Sequence, residues 1–467
     1  MFNKVCLLIF VLFFIYGNLY AQGFGFGFGE DSDSNSGTGS ALAVSVNGEA
    51  NASFIGYVKD FSDDLENVNL GDIFSGKLNF KAAVSFADAV INLNIKPAEM
   101  PVSVDEAYVR AYFGNFEAEG GIRKLTWGKA DSFGPLDVIN PLDYSQLTDL
   151  SNLNNFKIAR PLVRLSYRFG SFSKLEGVFV PSFEPMRFAE ADSRWYPKEM
   201  SQLDNLKSDT LARYKEKGID LPEESINIII NKPDTTAIKY AQAGLRFTTT
   251  IGSVDFGLQY YYGRLTRPAV NIGFSQLELQ LLPPYPTMLD LPSSKNYSYN
   301  PYHQIGIDFA AVLLGFNIRA EFAANITDDL SGDKGDVYNP FLAWSLGFDR
   351  ALFWGISLSL QGNQTIRLFN DKVSDDPMTD TEAGADMTST QIIASLSKTF
   401  LRDQLEIRAA VFWEVEGNDF MIIPSIVWTK DAVSVELSGG IFTGDTDGQF
   451  GQYKDNSFVK IALGYKF

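Results

Sequence analysis

Residues 459–467 read Val459-Lys460-Ile461-Ala462-Leu463-Gly464-Tyr465-Lys466-Phe467. Every second side chain is large and apolar, and those between are cationic or small. A period of two puts these sets on opposite faces of a strand, whereas a helix would scatter them around its surface. A strand that crosses a bilayer in a closed barrel needs about 9–11 residues, apolar toward lipid and polar or small toward the lumen. The quoted stretch meets that description.

The same alternation recurs upstream. Leu78, Phe80, Ala82, Val84 and Phe86 oppose Lys77, Asn79, Lys81 and Ser85; Ile91, Leu93 and Ile95 oppose Asn92, Asn94 and Lys96. Val254, Phe256, Leu258, Tyr260 and Tyr262 oppose Ser253, Asp255, Gly257 and Gln259. Further examples start at Ile305, Phe316 and Ile407. We read about 18 candidate strands, with about 16 as the lower bound, and an all-β, antiparallel, up-and-down transmembrane barrel over 44–467. A soluble sandwich would also alternate, so connection length has to separate the two. Short turns are expected near Ala87–Ala89, Gly114–Asn115, Gly170–Ser173, Thr250–Gly252, Leu314–Gly315, Arg350–Trp354, Leu401–Asp403 and Lys430–Asp431. Between them lie longer gaps at 58–74, 97–104, 125–160, 182–238, 264–302, 326–338, 370–388, 415–418 and 443–455. Outer-membrane barrels have this asymmetry, with short periplasmic turns and long outer loops. Counting from a periplasmic N-terminus puts every long gap outside and returns the C-terminus to the periplasm. Closure also removes the exposed edges that so many strands would otherwise present.

The segments outside the strands carry their own signals. Lys4 followed by the apolar run Val5–Tyr16 and a small residue at Ala21 reads as a secretory signal peptide, 1–21, cleaved near Ala21. The run is shorter than the roughly 20 residues of a spanning helix. Cys6 within it is the only cysteine, so disulfides and thiolate metal sites are excluded from the mature chain. Residues 22–43, opening on Gly23-Phe24-Gly25-Phe26-Gly27-Phe28-Gly29, are low in complexity and expected to be a disordered tail. The formal net charge of −18 argues against nucleic acid as a partner. Pro197–Gly218 and Glu223–Ile230 have helical composition, which predicts short helices in the outer-loop insertion 182–238. The loop at 264–302 carries Leu277, Leu279, Leu281, Leu282 and Pro283-Pro284-Tyr285-Pro286, which suggests packing over the barrel mouth or contact with an apolar cargo.

Two stretches resemble known families. The terminal Phe467 with Tyr465 two positions before it resembles the C-terminal signature read by the outer-membrane barrel-assembly machinery. That resemblance implies contact through Val459, Ile461, Leu463, Tyr465 and Phe467. The run from Gly120-Gly121-Ile122-Arg123 through Trp127-Gly128, Asp131, Pro135, Asp137 and Asn140-Pro141-Leu142-Asp143-Tyr144 is similar to a pattern in several porin-like families of Gram-negative and related bacteria. The resemblance implies an outer-membrane location, outer-membrane lipids as partners and a channel-type fold. Physically, Gly128 and Pro135 force turns, and Asn140 and Asp143 favour side-chain-to-backbone bonds. Such a loop folds inward and narrows the pore, with Trp127, Asp131, Asp137, Asn140 and Asp143 as constriction candidates, or stays a rigid surface loop. Both remain open at this stage.

By strand parity Arg110, Arg123, Arg164, Arg168, Arg246, Arg319, Arg367 and Arg408 point inward, joined by Lys77, Lys81 and Lys96 and opposed by Asp255, Asp308, Glu321, Glu406 and Glu436. Either they form an arginine-lined passage that favours anionic or polar small solutes, or they are interstrand ion pairs that stiffen the wall. Catalysis has little support. His303 is the only histidine, so at most one histidine-based acid–base site exists, and no matching Ser or Asp pair accompanies it. Aspartates cluster at Asp328, Asp329, Asp333 and Asp336, and at Asp445, Asp447 and Asp455, without EF-hand spacing. No cofactor motif is present, and neither a catalytic nor a metal site is assigned. The leading expectation is an outer-membrane channel for small solutes. The alternatives are a surface-exposed adhesin or ligand-binding protein anchored by a barrel, an outer-membrane hydrolase and, more distantly, a fatty-acid-type channel.

Overall fold

The computed structural model describes residues 42–59, 73–96, 101–148, 153–198, 233–270, 297–375 and 380–467, with isolated positions between 200 and 218. The expected signal peptide, almost all of the low-complexity tail, the segment Glu223–Ile230 and the leucine- and proline-rich part of the 264–302 loop lie outside the described residues. So do parts of the gaps at 58–74 and 97–104.

Eighteen antiparallel strands form one closed sheet. In chain order they are β1 (Ala43–Tyr57), β2 (Phe74–Val84), β3 (Ala87–Ile95), β4 (Ser103–Phe113), β5 (Phe116–Arg123) and β6 (Arg160–Phe169). Then come β7 (Ser173–Val180), β8 (Gln242–Ile251), β9 (Val254–Arg264), β10 (Pro301–Leu313), β11 (Phe316–Thr327) and β12 (Phe341–Ala351). The last are β13 (Ile356–Arg367), β14 (Thr388–Phe400), β15 (Leu405–Glu414), β16 (Asp419–Lys430), β17 (Val433–Thr443) and β18 (Phe458–Lys466). Each strand pairs with its neighbours in sequence, and β18 closes the sheet on β1, from Glu49↔Lys466 to Tyr57↔Phe458. Two more backbone bonds tie Gly48 to Phe467, at 2.9 and 3.0 Å. No strand edge is left open, as the alternation demanded.

Every long connection leaves from one end of the barrel, and both chain ends of the sheet lie at the other, with the short turns. The first turn differs from expectation. It is Ser85-Phe86, and Ala87, Asp88 and Ala89 belong to β3. Asp88 is held in the strand because it faces inward, opposite Arg110 in register, and accepts a hydrogen bond from Tyr112 at 2.9 Å. A register shift at Asn92/Leu93 changes parity within β4, so Val104 and Val109 both face outward.

The outer surface is apolar around the whole circumference, from Val44, Val46 and Phe54 through Leu245, Leu258 and Ile305 to Ile461, Leu463 and Tyr465. Along β10 the outward row runs from His303 to Leu313. That is about ten steps of about 3.3 Å, which at a tilt of about 40° is about 25 Å along the barrel axis, the height of a lipid-facing belt. Aromatic and histidine side chains mark both rims. Tyr260, Tyr262 and His303 meet at the loop end, and Trp413 stacks on Phe420 there at 5.7 Å. At the turn end Phe353 and Trp354 are almost fully exposed, and the Tyr465 and Phe467 rings stack. So continuous an apolar belt with amphipathic rims suits lipid and not water.

Candidate functional site

The connection 124–159, between β5 and β6 and described over 124–148 and 153–159, turns into the barrel. Three groups hold its feet. Asn140 Oδ1 accepts the Leu125 N–H at 2.7 Å, and its Nδ2 donates to the carbonyls of Arg123 and Ile158 at 3.0 and 2.8 Å. An amide side chain both donates and accepts, so one buried residue stitches the two feet together. Asp137 pairs with Lys157 at 2.5 Å, and Lys157 also donates to Thr126. Trp127 enters a slot over Gly244, where an added Cβ would meet its ring at 2.7 Å. Its indole N–H donates to Glu176 at 2.7 Å.

From there the loop crosses the inner faces of β8 to β13. Glu321 on β11 accepts the backbone N–H groups of Lys129, Ala130 (2.6 Å) and Leu136 (3.2 Å). Gln361 on β13 accepts from Asp131 and Ser132 and donates back to the Ser132 carbonyl at 2.5 Å. On the return path Gln304 donates to the Pro135 carbonyl and Gln259 to that of Leu136, both at 3.0 Å. Leu136 packs over Gly306. Gly128 has φ +94°, and a Cβ there would strike the Glu321 carboxylate, so both its conformation and its contact require glycine. The wall thus supplies the partners that a loop buried away from water needs for its backbone.

The constriction candidates divide accordingly. Asp131 sits at the loop tip against Arg319, which also meets Asp349. Trp127, Asp137 and Asn140 are anchors. Asp143 lies in a two-residue parallel ladder, Asp143–Tyr144 with Arg187–Phe188, and pairs with Arg187 at 2.8 Å.

The inward arginines are largely engaged with carboxylates. Arg110, Arg123 and Arg164 converge on Glu119, at 3.1, 2.5 and 3.2 Å, and Arg164 also meets Glu117 and Glu176. Arg246 is buried between Asp308 and Gln259, both at 2.6 Å. Arg367, at the loop end, pairs with Glu382 of the next connection. Arg408 meets Glu406 at 2.8 Å and, like Arg168, stays water-exposed. Asp255 lies near Lys129 at 3.7 Å, and Glu436 faces Lys460 at 4.0 Å. Lys77 reaches Asn155 at 3.3 Å, while Lys81 is exposed on the inner face.

A second connection, between β7 and β8 and described mainly over 181–198 and 233–241, reaches across the mouth at the loop end. Trp195 docks on the far side among Phe442, Tyr453 and Tyr57, with ring centroids 5.5, 5.5 and 6.3 Å away. Asn456 donates to the Arg194 carbonyl at 2.6 Å, the Arg194 guanidinium lies 3.7 Å from the Tyr57 ring centroid, and Lys198 meets Asp447 at 2.8 Å. Inward side chains of β14 to β18, Ile393, Phe412, Met421 and Phe458, complete this apolar cluster, and Phe133 from the 124–159 loop packs against it. The described positions between 198 and 216 are helical.

The lone histidine and the aspartate clusters lie at the loop end of the barrel. His303 faces outward at the rim, its Nδ1 2.7 Å from the Tyr260 hydroxyl. Asp329 spends its carboxylate on the backbone of its own loop, accepting from Ser331, Gly332, Asp333 and Lys334. Asp447 and Asp455 are taken by Lys198 and Lys59. Among the described residues no three His, Cys, Asp or Glu side chains are grouped so that they could hold a metal ion. Sequence reasoning did not single out Gln259, Gln304, Gln361, Gly244, Gly306 and Trp195. A signal existed for the glycines, since glycine inside a strand marks a close approach of another chain segment.

A family model described as "Protein of unknown function (DUF1302)" matches residues 88–467. None of the curated proteins matches the chain. Similar solved structures include Wzi, an outer-membrane protein involved in group 1 capsule assembly in Escherichia coli and a carbohydrate-binding β-barrel. It has 10% identity and a TM-score of 0.44, over 90% of this chain and 84% of that one. The outer-membrane channel DcaP of Acinetobacter baumannii follows at 9% and 0.42, over 91% and 97%. OmpT, an outer-membrane protein of Vibrio cholerae, stands at 11% and 0.41, over 91% and 100%. At such identities and scores the likeness carries no argument about function.

Proposed function

The chain belongs to the DUF1302 family, and from its barrel we propose that it is an outer-membrane channel for small solutes, narrowed by the loop 124–159 and covered by the connection 181–241. One observation carries this reading: a polar loop lies inside a barrel whose outer face is apolar. A barrel that served only as an anchor would have no use for a loop whose backbone is bonded to Glu321, Gln361, Gln304 and Gln259 on the inner wall. The described part of the connection 181–241 also reaches across the mouth, where Trp195 docks on Phe442 and Tyr453, which favours a channel over a surface-binding role. Membrane insertion would place the short turns in the periplasm, with the strand ending at Phe467 there for the assembly machinery to read.

The test is reconstitution of the full chain. Purified, folded protein in planar bilayers should give discrete conductance steps, and proteoliposomes should swell in isosmotic small solutes. Folded protein that gave neither would refute the channel. Fractionation of cells should place the chain in the outer membrane, and recovery in a soluble fraction would refute that location.

A further inference from the structure

The inner wall falls into two arcs. On β7 to β11 the 124–159 loop covers the inward side chains of the mid-wall, while Arg168 on β6 and Asp255 on β9, nearer the turn end, stay exposed. Glu176, Arg246, Gln259, Gln304, Asp308 and Glu321 are all buried. On β13 to β18, β1 and β2, Gln361, Glu414 and Asp419 are buried toward the loop end, but the inward polar side chains between them and the turn end remain half-buried or exposed, and so form the water-bearing side of the lumen. That side is dominated by neutral hydroxyl and amide groups. Asn47 stands opposite Asn79 in register, Ser425 opposite Ser438, and Ser359 opposite Ser395.

We infer that the solute is small, uncharged and rich in hydroxyl or amide groups. This rests on the channel reading above. Ser and Asn side chains each donate and accept, so they can replace the water around a hydroxyl in either sense. Ion selection needs a ring or cluster of one sign; Glu414, Glu416 and Asp419 gather at the loop end, but between them and the turn end the charges of this arc are of mixed sign. Arg408 is matched by Glu406 at 2.8 Å, Lys460 faces Glu436 at 4.0 Å, and Lys77 stands opposite Glu49 in register. Lys81, opposite Ser45, is the exception. Where signs alternate along a wall the summed potential is small, so an entering ion gains little to offset its lost hydration.

The experiment uses proteoliposomes of the full chain with three probes of similar size: arabinose, an anionic sugar acid and a cationic amino sugar. Zero-current potentials are read in a KCl gradient. Arabinose should enter fastest, and the zero-current potential should lie near zero. The double variant S425D/S438D, which puts two carboxylates between Arg408 and Lys460, should move the potential toward cation selectivity. N79D makes the same test on an exposed position if the double variant does not fold. Faster entry of either charged probe, or a strongly ion-selective parent channel, would overturn the neutral-solute inference and leave the channel standing. Folded protein that passed none of the probes would overturn both.

Discussion

Glu321→Ala tests the inward loop where it is held hardest. The carboxylate accepts three backbone N–H groups, from Lys129, Ala130 and Leu136, which flank the loop tip. Hydrogen bonds to a charged acceptor contribute about 1.5–3 kcal/mol each, so the gross loss is about 5–9 kcal/mol. Part is recovered, because the carboxylate no longer has to be desolvated and water can enter the space to solvate the N–H groups. Breaking a comparable buried charged interaction costs about 3–5 kcal/mol, and we take the lower half of that range. At about 1.4 kcal/mol per factor of ten, the undocked tip becomes about 10²- to 10³-fold more populated. Gln361, Gln304 and Gln259 still bond residues 131–136, and Trp127 and Asn140 still hold the feet, so the loop loosens mainly at residues 128–130 and does not leave the lumen. Single-channel recording should then show a larger and noisier unitary current than the parent. Glu321→Gln, which keeps one acceptor oxygen, should fall between the two. An unchanged current from a correctly folded Glu321→Ala barrel would refute the role of the loop as the constriction.

Trp195→Ala should free the strap across the mouth. Truncating a buried Trp costs about 3–5 kcal/mol, so limited proteolysis near Lys198 should accelerate and channel opening should become more frequent. Asn140→Ala removes bonds to Leu125, Arg123 and Ile158. At about 1 kcal/mol each this is a loss of about 3 kcal/mol, read as a lower unfolding temperature together with faster cleavage within 124–159. The loop around Asp329 should be acid-sensitive. Burial raises its carboxyl, but the N–H groups of Lys334, Asp333, Ser331 and Gly332 outweigh this and hold its pKa below the ordinary value. A depressed folded pKa means the contribution is full above the unfolded value of about 3.9 and is lost as pH falls through the folded pKa. Amide exchange at residues 331–334 should therefore rise below about pH 4, and Asp329→Asn should make it fast at neutral pH.

The barrel was legible in the sequence because its determinants are local. The period of two in Val459–Phe467 and its counterparts follows from strand geometry and needs no partner to be seen. The order of long and short connections then implied antiparallel neighbours and a common end for the loops. Asp143 could be read as a local backbone binder for the same reason, and it accepts the Ser145 N–H at 3.0 Å, whereas Asn140 bonds to backbone 15 to 18 residues away. The inward arginines were placed on the correct face, but parity is blind to pairing. That Arg110, Arg123 and Arg164 share Glu119 depends on which strands lie side by side. Only the tertiary structure decided that the loop 124–159 turns inward and that Trp195 crosses to the opposite wall. Glu321 and Lys129 lie 192 residues apart in the chain, and Trp195 and Tyr453 lie 258 apart. Contacts at such separations leave no periodicity in the sequence. They come into being only when the sheet closes and gives the loop a wall to bond to.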